Sequence, residues 1–275
     1  MEISEIEICK EWNSKRMRHP FFAEGLDDES VSRCWEASSR TYTMGNYSRI
    51  RGDIVAELKR CGTLRTDRTL LDIGCGPGTY AIPMSPLLKH IDCIDSSAGM
   101  ISRLLMECDR NLIGNIDVKL SDWNTYVPQK AHDIAFTSLC PPTNSPESML
   151  KMEMCAKHKC VYISSSNKDP ELSKGLWERL GKDYSFEGYD TSYPYGFLKE
   201  MGRTPKLKMF SDTLTTDRSL DEAVEDEIKK YSTYIEVTDD VKQIIRDTLT
   251  EYSEDSRVVT KSEIRAGLLV WSPLD

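Results

Sequence analysis

The sequence predicts an α/β fold in which a mostly parallel sheet carries helices on both faces. Between residues 69 and 180, short apolar segments alternate with amphipathic ones, which is typical of strands and helices in such a sheet. The first apolar segment runs into an acid and a glycine-rich turn, Asp72-Ile73-Gly74-Cys75-Gly76-Pro77-Gly78. In open α/β sheets, ligands bind at this place, the carboxyl end of the first strand.

Five strands of this alternating region are predicted from short apolar runs, many of them ending at an acid or a turn. They are Thr69–Ile73, Ile91–Ile94, Ile116–Leu120, Asp133–Leu139 and Cys160–Ser164. Between them, amphipathic patterns predict three helices: Thr79–Lys89, Ser97 onward through Leu105, and Ser145–Lys157. The first should be regular only from about Ile82, because of its prolines. A further helix, Pro170–Leu180, follows the fifth strand. Ser97 is a good N-cap for the second of these helices.

The flanking regions carry further elements. The N-terminal helices are predicted at Ile3–Trp12, Asp28–Thr41, which opens with acids and Ser30, and Ile50–Arg60, which Cys61-Gly62 ends. The C-terminal region predicts a short helix through Phe197–Met201 and strands at Lys206–Leu214 and Ala266–Trp271. Two charged amphipathic helices, Ser219–Tyr234 and Asp239–Tyr252, form an insertion between these last two strands.

We interpret the 275 residues as a single domain, because no linker or low-complexity tract divides them. Residues 1–45 are aromatic but too polar to fold alone, and we expect them to form a helical lid. Residues 46–182 are expected to be the ligand-binding core. Residues 183–275 are expected to be a substrate-side cover that includes the last two strands.

The composition argues against several classes of partner. The net charge is −9, whereas a general phosphate-backbone binder is normally basic, so nucleic acid is not an expected partner. The short basic cluster Lys15–His19 is interpreted as a solvated helix end. No run approaches about 18 apolar residues, and the N-terminus carries no signal-peptide pattern, so we expect no membrane span and a cytoplasmic location.

The nine cysteines include no CxxC pair, so we expect reduced thiols and no disulfide framework. The spacing Cys155-x-x-His158-x-Cys160 superficially resembles metal ligands. It falls where a helix is predicted to run into a strand, so the side chains should diverge, and we expect no metal site.

The glycine-rich turn differs from a dinucleotide-binding turn. The glycines Gly74, Gly76 and Gly78 recur at every second position, whereas a dinucleotide turn has the spacing G-x-G-x-x-G. Asp72 would place a negative charge near a pyrophosphate, and Pro77 removes a backbone N–H that a phosphate could use. A carboxylate at this point suits a ligand with a cationic ammonium group.

These residues resemble the first motif of the class I S-adenosylmethionine-dependent methyltransferases. The resemblance implies a Rossmann-like doubly wound sheet of about seven strands, mostly parallel with the last strand antiparallel. It also implies S-adenosylmethionine as the cofactor. Four motifs follow the family's order, and the best match covers about residues 45–180.

Further positions match the family in order. Asp95 ends the second strand, where the family's acid takes both ribose hydroxyls, and a carboxylate there can accept two such bonds. Asp122 and Trp123 follow the third strand, where the family holds adenine, although Asp122 is equally suited to a turn. The predicted cofactor-binding residues are Asp72, Gly74, Cys75 (through its backbone), Gly76, Gly78, Asp95, Ser96, Met100 (unless it is core), Asp122, Trp123 and Ser138.

The acceptor side is less defined by the sequence. Cys140-Pro141-Pro142 is similar to the Asn/Asp/Ser-Pro-Pro-aromatic motif of amino-group methyltransferases, but it begins with Cys and Thr143 replaces the aromatic residue. A rigid loop that shapes the pocket is the alternative. The candidate substrate-side residues are Tyr42, Tyr47, Cys140 and Tyr189, and the candidate bases are His132, Asp133, Tyr42, Tyr47 and Tyr189, none of which stands out.

The function predicted from the sequence is methyl transfer to a small molecule by direct displacement, with catalysis mainly by alignment. The aromatic N-terminal region, the acidic charge and the tyrosine-rich stretch 184–195 favour a small acceptor. Two alternatives stay open: a methyltransferase acting on a protein or RNA, which the basic cluster could support, and a non-catalytic binder that kept the fold. The sequence does not identify the acceptor atom or the oligomeric state.

Overall fold

A computed structural model of the chain describes residues 3–40, 42, 48–129, 131–165 and 171–274. Within these residues one seven-stranded sheet has the strand order β3-β2-β1-β4-β5-β7-β6. The strands are β1 (Thr69–Ile73), β2 (His90–Asp95), β3 (Ile116–Leu120), β4 (His132–Ser138), β5 (Ala156–Ser165), β6 (Lys206–Ser219) and β7 (Arg257–Trp271).

The direction of the strands confirms the predicted fold class. Strands β1 to β5 pair in parallel, and β7 runs antiparallel to both of its neighbours, β5 and β6. The reversal of strand order beside β1 creates the crevice in which such sheets bind ligands. The glycine-rich turn leaves the sheet at this crevice.

Helices cover both faces of the sheet. They are α1 (Glu7–Arg16), α2 (Pro20–Ala23), α3 (Asp28–Ser39), α4 (Ser48–Arg60), α5 (Ala81–Met84), α6 (Ala98–Arg110), α7 (Pro146–Glu153), α8 (Glu171–Arg179), α9 (Ser192–Glu200), α10 (Leu220–Tyr231) and α11 (Asp239–Glu251). The predicted insertion is confirmed, because α10 and α11 lie between β6 and β7. With α8 they bury an apolar cluster separate from the two clusters on the faces of the sheet.

Two predicted helices are shorter than expected. The helix predicted at Ser145–Lys157 ends at Glu153, since Ala156 already pairs with the first residue of β4 and begins β5. The helix predicted at Thr79–Lys89 is only the single turn α5 followed by a 3₁₀ turn, Ser85–Leu87. Pro83 and Pro86 lack the N–H that a regular helix would use.

The last two strands are longer than predicted. Residues 211–219 of β6 pair with residues 257–265 of β7 beyond the end of β5, so this part of the hairpin is a two-stranded ribbon. Most of its side chains are exposed or half-buried on both strands. A strand without a buried apolar run leaves little signal in the sequence.

The first helix belongs to the packed interior. Trp12 of α1 is fully buried, donates its indole N–H to the Gly188 carbonyl at 2.9 Å, and stacks on Tyr193. Helix α3, by contrast, lies against α6 at the carboxyl edge of the sheet. Helices α1 and α3 therefore pack against different parts of the molecule.

All nine cysteines are free thiols. Across the part of the chain that the structure describes, no helix combines the length and apolar character that a bilayer crossing requires.

A buried ion pair joins three distant parts of the fold and provides a test of it. Glu153 accepts hydrogen bonds from Arg203 at 2.6 and 3.1 Å and from the Trp271 indole at 2.8 Å. We expect Glu153→Ala to lower the free energy of unfolding by about 3–5 kcal/mol, because it leaves the mostly buried Arg203 guanidinium without its carboxylate partner. Urea unfolding measures this change. The control is Arg65→Ala at an exposed pair, expected to cost about 1 kcal/mol or less; equal losses in both variants would contradict the prediction.

Candidate functional site

A cleft with a volume of about 370 Å³ lies at the carboxyl edge of the parallel strands. Its walls come from the turns after β1 to β4 and from helices α3 and α4, and its size suits a small ligand. Most residues singled out from the sequence line it: Tyr42, Asp72, Gly74, Cys75, Gly76, Asp95, Ser96, Met100, Asp122, Trp123, Ser138 and Cys140.

The glycine-rich turn follows a backbone path that side chains oppose. Gly74, Gly76 and Gly78 have φ angles of +69°, +53° and +85°. A Cβ on Gly74 would lie 2.4 Å from the Cys140 sulfur, so the turn and the loop after β4 pack directly against each other only because Gly74 has no side chain. The spacing of glycines in the sequence thus corresponds to three left-handed positions.

Asp72, the penultimate residue of β1, carries the most unusual electrostatics in the cleft. It is 2% exposed, and its Oδ2 atom is buried with no hydrogen-bond partner among the described residues. Burial, and secondly the nearby Asp95, raises the pKa of the Asp72 carboxyl to about 8. The group is therefore mostly protonated at neutral pH. A ligand that placed a cation beside it would supply the missing partner.

Asp95, the last residue of β2, holds the turn in place. Its Oδ2 accepts from the Gly76 N–H at 2.8 Å and its Oδ1 from the Ser97 N–H at 2.9 Å. Burial raises the pKa of Asp95, while these backbone bonds act in the opposite direction. Ser97 itself caps α6 by accepting from the Met100 N–H. Because a carboxylate oxygen has two acceptor sites, Asp95 can still receive hydroxyl groups from the cleft.

One end of the cleft is formed by the turn after β3. Asp122 accepts from the Asn124 N–H at 2.6 Å, so the turn role that the sequence left open is present. Trp123 is 4% exposed, donates its indole N–H to Ser148, and stacks on Tyr126 with ring centroids 5.7 Å apart. One face of the indole is thus already covered, and only a small part of the ring reaches the cleft.

The loop after β4 forms the opposite wall. Leu139 has φ of +50°, a strained conformation for a bulky residue that sequence analysis did not anticipate. The Cys140 carbonyl accepts from the Thr143 hydroxyl at 2.8 Å, so the residue that replaces the family's aromatic ring braces the loop. Burial raises the pKa of the Cys140 thiol to about 12. The thiol therefore stays protonated at neutral pH.

Two further residues of this wall were missed from the sequence. Tyr80 lines the cleft, and burial raises the pKa of its hydroxyl above its ordinary value. Arg51 of α4 lines the same region together with Tyr42. Nothing local marks them, because Arg51 lies in an ordinary amphipathic helix and Tyr80 in the turn before α5.

Some predicted residues are placed elsewhere. Gly78 and Tyr189 are not among the described residues that line the cleft. A Cβ on Gly78 would meet Leu104, so this glycine sets how the turn packs on α6. Tyr189 is buried with its ring centroid 5.0 Å from that of His19, and burial raises the pKa of its hydroxyl, which has no partner within the described ranges, well above 10. Tyr47 lies outside the described residues.

The two candidate bases of β4 lie at the wrong edge of the sheet for the cleft. His132 is the first residue of the strand and contacts Asp92. Asp133 accepts hydrogen bonds from the Thr69 backbone N–H at 2.8 Å and from its hydroxyl at 3.1 Å. Both side chains therefore have structural partners far from the carboxyl ends of the strands.

Helix α3 closes over the cleft through a carboxylate that the sequence did not single out. Glu36 accepts from the Ser97 hydroxyl at 2.7 Å and from the Gly99 N–H at 2.8 Å, at the N-terminus of α6. A Cβ on Gly99 would lie 2.2 Å from the Ser39 hydroxyl, so the two helices touch closely. Trp35, the residue directly before Glu36, lies in the cleft wall.

Comparison with known proteins gives little at the level of sequence. No family model matches the chain. An uncharacterized protein of Haemophilus influenzae is 28% identical over 138 residues, which are 48% of this chain and 50% of that protein. The chain thus spans about half the length of this curated relative.

Solved structures share the architecture. A putative methyltransferase of Bacillus halodurans superposes with a TM-score of 0.57 at 16% identity, over 80% of this chain and 99% of its own. A putative sarcosine dimethylglycine methyltransferase of Galdieria sulphuraria gives 0.50 at 16% identity, over 81% and 85%. The fold is that of the class I S-adenosylmethionine-dependent methyltransferases. The resemblance seen in the glycine-rich turn is confirmed at this level.

The buried carboxyl of this methyltransferase fold predicts a specific pH dependence. Because the pKa of Asp72 is raised on folding, its contribution to stability is complete below about pH 4 and is lost as the pH rises toward 8. Asp72→Asn cannot ionise and avoids this loss. In the cofactor-free protein, the free energy of unfolding of Asp72→Asn should therefore rise relative to that of wild type as the pH increases over this range, by up to about 1.4 kcal/mol per pH unit.

Urea unfolding at pH 5 and pH 8 measures this shift. The control is Asp67→Asn, whose carboxyl is exposed and paired with Arg65 and which should show no such gain. Identical pH profiles for wild type and Asp72→Asn would contradict the assignment of a buried, protonated Asp72.

The contact between the turn and the loop after β4 predicts a second outcome. Gly74→Ala combines an unfavourable φ with a Cβ that collides with Cys140, so it should lower stability by about 1–3 kcal/mol. Adding Cys140→Ala removes the 2.4 Å contact with the sulfur but leaves the 2.9 Å contact with the Cβ of residue 140, so it should restore part of the loss. Thermal unfolding measures both. Gly114→Ala, which has open space and no positive φ, should change little; equal effects at Gly74 and Gly114 would be inconsistent with this packing.

Proposed function

We propose that this chain is an S-adenosylmethionine-dependent methyltransferase that acts on a small molecule by direct displacement. The observation that carries the proposal is the buried carboxyl of Asp72, whose Oδ2 has no hydrogen-bond partner among the described residues and which lies beside Asp95 and the glycine-rich turn in one cleft. A ligand that combines an ammonium group with vicinal hydroxyls meets both acids. A dinucleotide would bring a pyrophosphate to the same carboxyl and gain nothing from it.

The described residues fit this cofactor. Asp72 would hold its ammonium group and Asp95 its ribose hydroxyls, with Ser96 and Met100 beside them. Asp122 and Trp123 would bound the adenine end, and Ser138 would lie along the methionine moiety. The bound cofactor supplies a methyl group that its sulfonium has already activated. The contribution of the chain is then to bind, to align the acceptor and to exclude water.

The protonation states of Cys140 and Tyr80 in the cleft wall support catalysis by alignment. Burial raises the pKa values of both Cys140 and Tyr80, so neither group is ionised at neutral pH and neither is suited to accept a proton from the substrate. An acceptor with a nucleophilic lone pair that is free at neutral pH fits such a wall. An acceptor that must be deprotonated in the site does not.

Three features favour a small acceptor over a protein or RNA. Helix α3, part of the predicted lid, bounds the cleft and is fastened to α6. In the basic cluster, Lys15 pairs with Glu187 at 2.7 Å and Arg18 with Asp183 at 2.5 Å, so these charges already have acidic partners. Third, one protein of similar fold, the putative sarcosine dimethylglycine methyltransferase, is named for two small molecules.

Cofactor binding is tested by calorimetry with S-adenosylmethionine. Wild type should bind, and Asp95→Ala should raise the Kd by about tenfold or more, because hydrogen bonds to a charged group contribute about 1.5–3 kcal/mol each. Asp67→Asn, on the exposed surface, should bind as wild type does. Absence of heat for wild type at high ligand concentration would refute the proposed cofactor.

The acceptor class is tested separately. The protein is incubated with methyl-labelled cofactor and a cell extract separated into small molecules, protein and RNA, and labelled products are identified by mass analysis. We expect label in the small-molecule fraction only. Label in protein or RNA would contradict the acceptor class, and cofactor binding without any product would favour a non-catalytic binder.

A further inference from the structure

A second cluster of ionisable side chains lies at the edge of the sheet opposite the cleft. His90 and Asp92 share one face of β2, and Asp117 of β3 is the register partner of Asp92. His132 reaches the same place from β4, where the pairing with β5 has a register irregularity between His132 and Ile134. Strands β2 and β3, which are neighbours in the sheet, and β4, which β1 separates from β2, thus bring two acids and two histidines together.

The charges of this cluster are not balanced by strong cations. Carboxylates directly opposite each other on neighbouring strands repel. Among the described residues, no lysine or arginine lies within 4.0 Å of Asp92 or Asp117, and the ion-pair partners that do are the imidazoles of His90 and His132. A cation shared by both carboxylates would remove the repulsion.

Two of the three distances between the ligand atoms match those of a tetrahedral metal site. His90 Nε2 lies 3.3 Å from Asp92 Oδ1 and 3.4 Å from Asp117 Oδ2, and the three atoms converge within 4.8 Å. Both separations exceed the usual N–H···O length of about 2.9–3.0 Å, and one N–H cannot point at both oxygens. Metal–ligand bonds of about 2.0–2.1 Å in a tetrahedron place ligand atoms about 3.3–3.4 Å apart.

His132 completes the arrangement from behind. Its Nε2 contacts the second carboxylate oxygen of Asp92, Oδ2, at 2.5 Å, and the residue is 9% exposed. This contact fixes the carboxylate so that Oδ1 faces His90 and Asp117. Outer partners of this kind orient metal ligands and are needed for full affinity.

We propose that the chain binds one divalent transition-metal ion, best Zn²⁺, through His90 Nε2, Asp92 Oδ1 and Asp117 Oδ2, with His132 as the positioning residue. One imidazole and two carboxylates suit Zn²⁺, and the fourth position is left for water. Mg²⁺ fits worse, because it prefers an all-oxygen octahedron.

The role of this ion is to join β2 to β3. Asp92 lies three residues before Asp95, about 10 Å along the strand, so the ion would not touch the cleft. The proposal is therefore independent of the proposed methyl transfer, and each can fail without the other.

The test uses the full chain, stripped with a chelator and titrated with Zn²⁺ against a chromophoric competitor. Wild type should bind one equivalent and gain thermal stability. His90→Asn and Asp117→Asn should each weaken binding by more than about tenfold, and His132→Asn by about 10–100-fold. Millimolar Mg²⁺ should not displace the ion.

The matched control is His158→Asn, because His158 also faces an acid, Asp133 at 3.6 Å, but has no third ligand. It should bind Zn²⁺ as wild type does, which also separates the site from the Cys155-x-x-His158-x-Cys160 pattern. Wild-type stoichiometry and affinity in both His90→Asn and Asp117→Asn, or no binding by wild type, would overturn the proposal. If those variants do not fold, imidazole NMR of wild type decides: Zn²⁺ must shift the His90 ring signals and leave those of His158 unchanged.

Discussion

The carboxyl of Asp72, whose buried Oδ2 has no hydrogen-bond partner in the described part of the chain, is the constraint on which the rest of the site depends. The strand order places β1 between β2 and β4, so β1 is a central strand of the sheet and its carboxyl end lies inside the molecule. A carboxylate in such a place is unfavourable when ionised, which is why its pKa rises to about 8. A fold that keeps such a group is less stable unless a ligand supplies the missing partner. The group that lowers the stability of the cleft is therefore also the group that would bind the ligand.

The surrounding structure holds this carboxyl open to one side only. The turn after β1 passes so close to the loop after β4 that Gly74 has no room for a side chain beside Cys140. Asp95 fixes the other side of the turn by accepting from the Gly76 N–H. Glu36 then fastens α3 to the start of α6, directly after Asp95. These contacts hold the carboxyl ends of β1, β2 and β4 together, and the cleft between them has the size of a small ligand.

The elements that the sequence predicted are those determined by residues close together in the chain. The bounds of β1 and β3 agree with the apolar runs, and the three glycines correspond to positive φ angles that few other residues adopt. Contacts between distant segments leave no such pattern in the sequence. Examples are the contact of Glu36 with the start of α6 and the position of Arg51 in the cleft wall. The same holds for the ligands of the proposed metal site, because His90 and Asp117 are brought together by a strand register that no spacing in the sequence encodes. The strain at Leu139 depends on the path of the chain around it.

The most direct measurement of the central claim is the number of protons released when S-adenosylmethionine binds, obtained by calorimetry at pH 6.5 in buffers of different ionisation enthalpy. At this pH the free carboxyl of Asp72 is protonated, because its pKa is about 8, and the ammonium group of the ligand is already charged. Contact between them should lower the pKa of Asp72 and release close to one proton, and Asp72→Asn should bind with no release. Binding by wild type with no proton release, or the same release by Asp72→Asn, would contradict the account.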